Sequence, residues 1–317
     1  MNNVVNLFGN SQVFNDNDYG PADFDIDKAD LVYYPDVYTE LKSTKHVLYR
    51  TDTGAELGVH GSRYSSLYDL SYKRMIDNQR SIIARSDLNT SDITEDIQVS
   101  HNGAKCFVRH TLPNEFIETP DGDNASLNFL TVSSLDGTMP FVCTVGANQW
   151  ACMNGQIFVS KAASIYKSRH TKKLDIDQGA KLISKAVTIL QSEAEIWKGW
   201  SNTKLNNQEA FLLFARASGA TAVFKRLEEY PDDNYARALL DGQVTKNSAL
   251  MYMWDRWTKH YRGALGHNQW SVYNVLTDWS THAPAAGRQS QVNIASISYK
   301  RGEKVRETII NNFKDAA

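Results

Sequence analysis

Short runs of alternating hydrophobic and polar residues occupy the region between Leu31 and Tyr64. This alternation is typical of β-strands, because successive side chains of a strand point to opposite faces of a sheet. Asp52–Gly54 and Gly61–Ser62 interrupt the runs with residues that favour turns. The first 28 residues are rich in Asn and Asp and have no periodicity. We therefore expect residues 1–28 to form an acidic flexible arm, followed by a β-rich core.

A helical repeat follows this β-rich segment. Leu70, Met75 and Ile82 come after Asp69 at roughly helical spacing. Asp is a favoured N-cap residue, because its carboxylate accepts hydrogen bonds from the free backbone N–H groups of the first turn. The pattern predicts a helix over about 69–86 that begins at Asp69.

The next seventy residues again alternate, and two pairs of turn residues divide them. Asn102–Gly103 and Asp136–Gly137 each stand between alternating runs. Such pairs favour two-residue hairpin turns, because both residues tolerate a positive φ. Residues 91–160 are therefore predicted to form an antiparallel meander.

Beyond Leu174 the hydrophobic residues recur at helical spacing nearly to the end of the chain, with Gly and Pro between the runs. The predicted fold class is α+β, with a helix and an antiparallel β-meander as the core and a largely helical C-terminal half. We expect an α+β core domain at 29–173 and a helical region at 174–317 that packs on this core.

Composition places the chain among soluble proteins. Hydrophobic residues make up 42% of its 317 residues and charged residues 22%. No stretch approaches the roughly 20 apolar residues that a membrane helix needs, and the N-terminus lacks the basic and apolar pattern of a secretory signal. The three cysteines have no close pair, which favours a reducing compartment. A cytoplasmic protein without membrane contact is expected.

The net charge of −2 hides a strong local asymmetry. Residues 1–41 hold eight acidic residues and one base, Lys28, whereas residues 161–173 hold five bases and no acid. A basic segment attracts polyanions locally even when the whole molecule is nearly neutral. The acidic segment, in contrast, suits a basic partner.

The basic segment falls between a predicted strand and a predicted helix, where cations and backbone N–H groups can converge on phosphates. The aromatic ring of Tyr166 lies among the cations and is expected to stack on an unpaired base. Arg63, Tyr64 and Arg74 are expected to extend the same surface. The predicted nucleic-acid-binding residues are Arg63, Tyr64, Arg74, Lys161, Tyr166, Lys167, Arg169, His170, Lys172 and Lys173.

Common catalytic motifs are missing. The sequence has no phosphate-binding loop, no nucleophile elbow and no paired-histidine zinc motif. Neither a cofactor nor a metal is therefore predicted, and no catalytic residue is assigned. One enzymatic alternative stays open, with Cys152 as a thiol nucleophile and His170 as its base.

Five short phrases follow one another along the chain: GVHGSRYSSLYD at 58–69, SLDGT at 134–138, CMNG at 152–155, RHT at 169–171 and TDWSTHA at 277–283. In this order they resemble a family of phage and plasmid proteins known as domain of unknown function 932. They agree in order and spacing over about residues 30–283. Leu135 stands where the family usually has His, which argues against a catalytic role there. The resemblance implies phage or plasmid origin, hence the host cytoplasm, but no defined activity.

The expected order of helix, meander and basic segment is also similar to single-strand annealing proteins of the RecT and Red-beta kind. This likeness implies a protein that binds and anneals single-stranded DNA in replication or recombination. The alternatives are an interaction protein that modulates host or phage transcription or defence, and the cysteine enzyme. Because six of the seven tryptophans lie at or after Trp197, self-association through the helical half is also expected.

Overall fold

A computed structural model describes most of the chain. The described residues are 14, 18–64, 66–149, 157–158, 165–171, 173–175, 177–178, 185–220, 247–284 and 293–313. The chain divides into two compact units. Unit 1 comprises Met1–Glu115, Asn128–Val145 and Ile165–Ala186, and unit 2 comprises Phe116–Leu127, Gly146–Ser164 and Val187–Ala317. The predicted domain limits at 28 and 173 stay predictions.

The first sheet has three antiparallel strands in the order β1-β2-β3. The strands are β1 (Ile26–Asp36), β2 (Thr39–Arg50) and β3 (Glu56–Gly61). The alternating runs before Tyr64 are thus strands, as their period of two predicts. Immediately before β1, Ala22 and Phe24 are buried in the hydrophobic core of unit 1. This part of the predicted arm is therefore packed rather than flexible.

Two helices replace the single helix expected at 69–86. They are α1 (Leu67–Leu70) and α2 (Tyr72–Arg85). Ser66 and Ser71 cap them, because the side chain of each accepts a hydrogen bond from a backbone N–H three residues later. The prediction that Asp69 is the N-cap was wrong. Asp69 lies inside α1, and the nearby serines supply the acceptors that its carboxylate was expected to provide.

The second sheet confirms the predicted meander in the described residues. Its strands are β4 (Thr94–Ser100), β5 (Lys105–Glu118), β6 (Asn124–Ser134), β7 (Phe141–Gln149), β8 (Ile157–Phe158) and β9 (Ile165–Ser168). Strands β4 to β8 follow one another in the sheet, and β9 pairs with β7. Asn102, Gly103 and Gly137 adopt positive φ values in the connections. The prediction of two-residue turns was wrong, because residues 101–104 connect β4 to β5 and residues 135–140 connect β6 to β7.

The C-terminal half is helical, as predicted. Its helices are α3 (Ala186–Asn202), α4 (Asn207–Ser218), α5 (Ser248–Arg256), α6 (Arg262–Leu265), α7 (Gln269–His282) and α8 (Ile294–Asn312). A five-residue π-helical segment, Trp257–Tyr261, joins α5 to α6. The side chains of Trp197, Trp200, Trp257 and Trp270 are at most 1% exposed and fill the interior of unit 2. In the described part of the chain, no helix is long and apolar enough to cross a bilayer.

Candidate nucleic-acid interface

An open groove lies on unit 1, where the β2–β3 sheet meets the segment that follows β9. Its lining residues are Thr44, Lys45, Gly61, Ser62, Arg63, Tyr64, His170 and Thr171. A backbone bridge between Tyr64 and Thr171 joins the two sides. Two cations and three hydroxyl-bearing Ser and Thr residues line the groove, and none of its described lining residues is acidic.

A close approach between two connections positions one wall of the groove. Gly58 of β3 lies against the turn at Leu135 and Asp136. A Cβ atom at Gly58 would collide with the carbonyl oxygen of Leu135 and lie 2.8 Å from the Cα atom of Asp136. Only glycine fits here without a shift of backbone. The first and second family-like phrases of the sequence therefore meet at this point.

Three aromatic rings, those of His60, Tyr64 and His170, form a stack at this wall, called here the aromatic stack. The rings of His60 and Tyr64 are nearly parallel, with centroids 3.6 Å apart. The centroid of His170 lies 5.8 Å from that of Tyr64. The Tyr64 hydroxyl donates a hydrogen bond to the carbonyl oxygen of Ser134 at 3.2 Å. The stack is therefore held from both the strand side and the turn side.

Hydrogen bonds keep both histidines of the stack in place. His60 Nε2 donates to the carbonyl oxygen of Leu135, so this nitrogen carries the proton. His170 Nε2 lies 2.9 Å from Ser133 Oγ. Burial lowers the pKa of His60, and it lowers the pKa of His170 to about 4. At neutral pH both imidazoles are therefore uncharged and contribute ring surface rather than cations.

A buried ion pair supports the turn behind the stack. Lys105, only 3% exposed, places its Nζ 3.4 Å from Asp136 Oδ2. Burial acts to raise the pKa of Asp136, but hydrogen bonds from Thr138 and the charge of Lys105 outweigh it, so the pKa is lowered. Asp136 is therefore ionised at neutral pH. Because Lys105 and Asp136 satisfy each other, the pair fixes the turn and adds no net charge to the groove.

Four of the predicted cations are exposed on unit 1, and two lie outside the described residues. Arg63 lines the groove and is exposed, and Lys45, which the sequence analysis did not select, lines it as well. Lys167, Arg169 and Lys173 are exposed on β9 and the segment that follows it. Lys161 and Lys172 lie outside the described residues. The segment 165–168 is a strand of the second sheet rather than the loop that its charge suggested.

Two predicted contact residues are engaged elsewhere. Tyr166 is only partly exposed and packs its ring edge-to-face on Phe141 within the core of unit 1. The expected role of Tyr166 as a stacking platform stays a prediction, although β9 pairing places its ring against the core. Arg74 does not line the groove. It forms an ion pair with Asp69 at 2.7 Å and lies over the ring of Tyr68.

The cysteine-enzyme alternative gains no geometric support. His170 is 5% exposed, and its Nε2 is already in contact with Ser133. Cys152, the expected nucleophile, lies outside the described residues. Cys106 and Cys143 are buried free thiols, and burial raises the pKa of Cys143 to about 11. A thiol with so high a pKa is a poor nucleophile at neutral pH.

Three of the family-like phrases thus converge in one place. His60 and Tyr64 belong to the first phrase, Leu135 and Asp136 to the second, and His170 to the phrase at 169–171. Sequence reasoning had selected Tyr64 and His170 as contact residues but had given no role to His60, Lys105 or Asp136. The order of the phrases was the signal that linked them, although it did not reveal which side chains touch.

The fold and the groove define an α+β protein with a basic, hydroxyl-lined surface beside a buried aromatic stack. Residues 56–303 match the family model described as domain of unknown function (DUF932). The match covers most of the chain, and the chain belongs to this family. No curated protein and no solved structure matches the chain.

Proposed function

We propose that the protein binds single-stranded DNA through the groove of unit 1 and promotes annealing of complementary strands. The observation that carries the proposal is the lining of the groove, with Lys45, Arg63 and three Ser and Thr residues and no acid among its described lining residues. Cations and hydroxyl groups of this kind hold phosphate oxygens. The exposed cations Lys167, Arg169 and Lys173 extend the positive surface along the chain.

The arrangement favours contacts to the backbone over contacts to bases. The Tyr64 ring stacks on His60 and lies beside His170, and the Tyr166 ring packs against Phe141. Both rings already have aromatic neighbours, which favours contacts to phosphates over stacking on bases. A strand held by its phosphates alone keeps its Watson–Crick edges free for a second strand, which is what annealing requires. By the same reasoning, binding has little sequence preference.

The family resemblance completes the proposal. It suggests a phage or plasmid protein that acts in the host cytoplasm, in replication or recombination. The proposed partner is the single-stranded DNA that these processes expose.

Fluorescence anisotropy of a labelled oligonucleotide across a salt series tests the proposal. The double substitution Lys45→Ala/Arg63→Ala should weaken binding roughly tenfold or more, because two charge-assisted contacts are lost. It should also reduce the slope of log K against log salt by about 1.4, since each contact to a single strand contributes about 0.7. The triple substitution Lys167→Ala/Arg169→Ala/Lys173→Ala tests the extension along β9 in the same way.

A matched control removes the same charge elsewhere. Lys28 and Arg85 are exposed, belong to unit 1 and do not line the groove, so Lys28→Ala/Arg85→Ala should leave affinity and slope nearly unchanged. The proposal fails if wild-type protein shows no salt-dependent binding, or if the control weakens binding as much as the groove variant. An annealing assay with two complementary labelled strands then tests the second half of the proposal. Binding without faster annealing would remove that half alone.

A further inference from the structure

The hairpin formed by β1 and β2 carries an unusual concentration of exposed hydrophobic side chains. Eleven large hydrophobic residues are exposed in the described structure, and six of them lie in this hairpin, between residues 32 and 41. They are Val32, Tyr33, Tyr34, Val37, Tyr38 and Leu41, with Val37 at 88% exposed and Tyr38 at 97%. Isolated exposed hydrophobic residues are ordinary, but six of them in one short hairpin favour an interaction surface.

The outer part of this hairpin has no third strand. β3 pairs with β2 only from Lys45 to Tyr49, so residues 39–44 of β2 pair with β1 alone. We call residues 30–43 the ribbon; Thr44, which follows it, already lines the groove. A two-stranded ribbon is at best marginally stable in water, because neither face is covered. Contact with another surface would supply the missing burial. The ribbon lies before residues 56–303, which match the family model.

Charge defines the surface that suits the ribbon. The ribbon contains three acidic residues, Asp30, Asp36 and Glu40, and one base, Lys42, whose Nζ lies 3.9 Å from Asp30 Oδ2. Its net charge is therefore negative. This concentration of negative charge repels nucleic acid and anionic lipid. A basic protein surface with hydrogen-bonding groups for the tyrosine hydroxyls is complementary to it.

The groove of unit 1 is a basic surface of this kind. The tip of the ribbon, however, lies far from the groove of its own chain. Lys45 lines the groove and lies on β2, seven residues from Tyr38 at the tip. At about 3.3 Å per residue, the tip extends roughly 23 Å along the strand away from Lys45. Folding back would break the pairing of β1 with β2. The groove of a second copy carries the same cations and has no such restriction.

Self-association through the helical half was expected because tryptophans are concentrated there, and it stays a prediction. Trp197, Trp200, Trp257 and Trp270 are at most 1% exposed, so in the described residues these four side chains pack inside unit 2. Of the five exposed Tyr and Phe residues in the described structure, three lie in the ribbon, and Tyr68 and Phe116 lie elsewhere.

From these observations we infer that the ribbon of one copy docks in the groove of a second copy. Because the ribbon and the groove are different surfaces, the contact is head-to-tail and produces a ring or an open chain rather than a symmetric dimer. The acidic ribbon occupies the surface proposed for phosphates. Single-stranded DNA should therefore displace it and dissociate the assembly, a consequence that rests on the proposed function.

Light scattering coupled to size exclusion tests the inference on the full chain without DNA, at tens of micromolar protein. The wild-type mass should be at least twice the 35.7 kDa of a single chain. The ribbon variant Tyr33→Ser/Tyr34→Ser/Tyr38→Ser should give a single mass of 35.7 kDa with an unchanged circular dichroism spectrum in the helical region. Tyr68→Ser is the control, because Tyr68 is 68% exposed but lies outside the ribbon. It should leave the assembly intact.

Charge reversal identifies the two surfaces directly. Asp30→Lys/Glu40→Lys in the ribbon, or Lys45→Glu/Arg63→Glu in the groove, should each give monomers. A chain with all four substitutions, or a mixture of the two double variants, should assemble again.

A wild-type mass of 35.7 kDa at every concentration would overturn the inference, as would an assembly that survives the ribbon substitutions. Capture of a basic host protein by an otherwise monomeric chain would also overturn it. None of these results depends on DNA, so failure of the inference leaves the proposed DNA binding to its own test.

Discussion

Glu95 lies between two basic side chains in unit 1, and its removal should destabilise the protein in a pH-dependent way. Arg80 Nε donates to Glu95 Oε2 at 2.8 Å, and Arg80 Nη2 donates to Oε1 at 2.5 Å. His110 Nε2 lies 2.6 Å from the same Oε2. The Glu95 side chain is 17% exposed, and those of Arg80 and His110 are 7% and 0% exposed. The carboxylate therefore holds two buried partners at once.

The pKa of Glu95 provides the magnitude. Burial acts to raise it, but hydrogen bonds from Arg80 and His110 outweigh burial and lower it from 4.5 to about 2. A shift of this size corresponds to roughly 3 kcal/mol in the free energy of unfolding. Because the folded-state pKa is the lower one, this contribution is fully present above pH 4.5 and is lost as the pH falls towards 2.

Urea unfolding followed by circular dichroism, at pH 7 and at several pH values down to 3, measures this effect. Glu95→Gln should lower the free energy of unfolding by about 3 kcal/mol at pH 7, since it leaves the charge of Arg80 without its anion. The difference from wild type should shrink as the pH falls below 4.5. Glu56→Gln, an exposed carboxyl on β3, is the matched control and should change stability by less than about 0.5 kcal/mol. A loss below about 1 kcal/mol at pH 7, or one that is constant with pH, would refute the reasoning.

The other predictions concern the groove wall and its glycine. Gly58→Ala should cost about 1–3 kcal/mol in the same unfolding assay and should weaken oligonucleotide binding, because a Cβ atom pushes the Leu135 turn away. Gly199→Ala is the contrasting substitution, because a Cβ atom at this position within α3 meets no atom within 4 Å. It should raise the free energy of unfolding by up to about 1 kcal/mol. His170 should show no titration between pH 5 and pH 8 in its imidazole NMR signals, because its pKa is about 4. A midpoint above 6 would contradict its burial.

Local chemistry made several elements predictable. Asn102, Gly103 and Gly137 lie in the connections between strands, because these residues adopt a positive φ at little cost. The helices of the C-terminal half follow from apolar spacing. The sequence analysis missed the break between α1 and α2 at Ser71. The break depends on hydrogen bonds that the Ser66 and Ser71 side chains accept from the backbone, and the sequence does not show the geometry of these bonds.

The groove was less predictable than the elements around it. Arg63 was expected to belong to a binding surface and does line the groove, whereas Lys45 was not selected, because nothing in its local sequence distinguishes it from other strand lysines. Charge density selected residues 161–173, but β9 pairing decides which of their side chains face solvent. Tyr166 was therefore assigned a stacking role although its ring is in the core.

The amino-acid sequence by itself determined the α+β class, the positions of two strand connections, the helical C-terminal half and the family. These properties depend on spacing of a few residues along the chain, so they can be read without tertiary contacts. Tertiary structure alone decided that His60, Tyr64 and His170 stack, and that Lys105 pairs with Asp136. Tyr64 and His170 are more than a hundred positions apart in the sequence. Only the packing of β3, the turn at Leu135 and the segment after β9 brings these groups together, because burial and distance are properties of the folded chain.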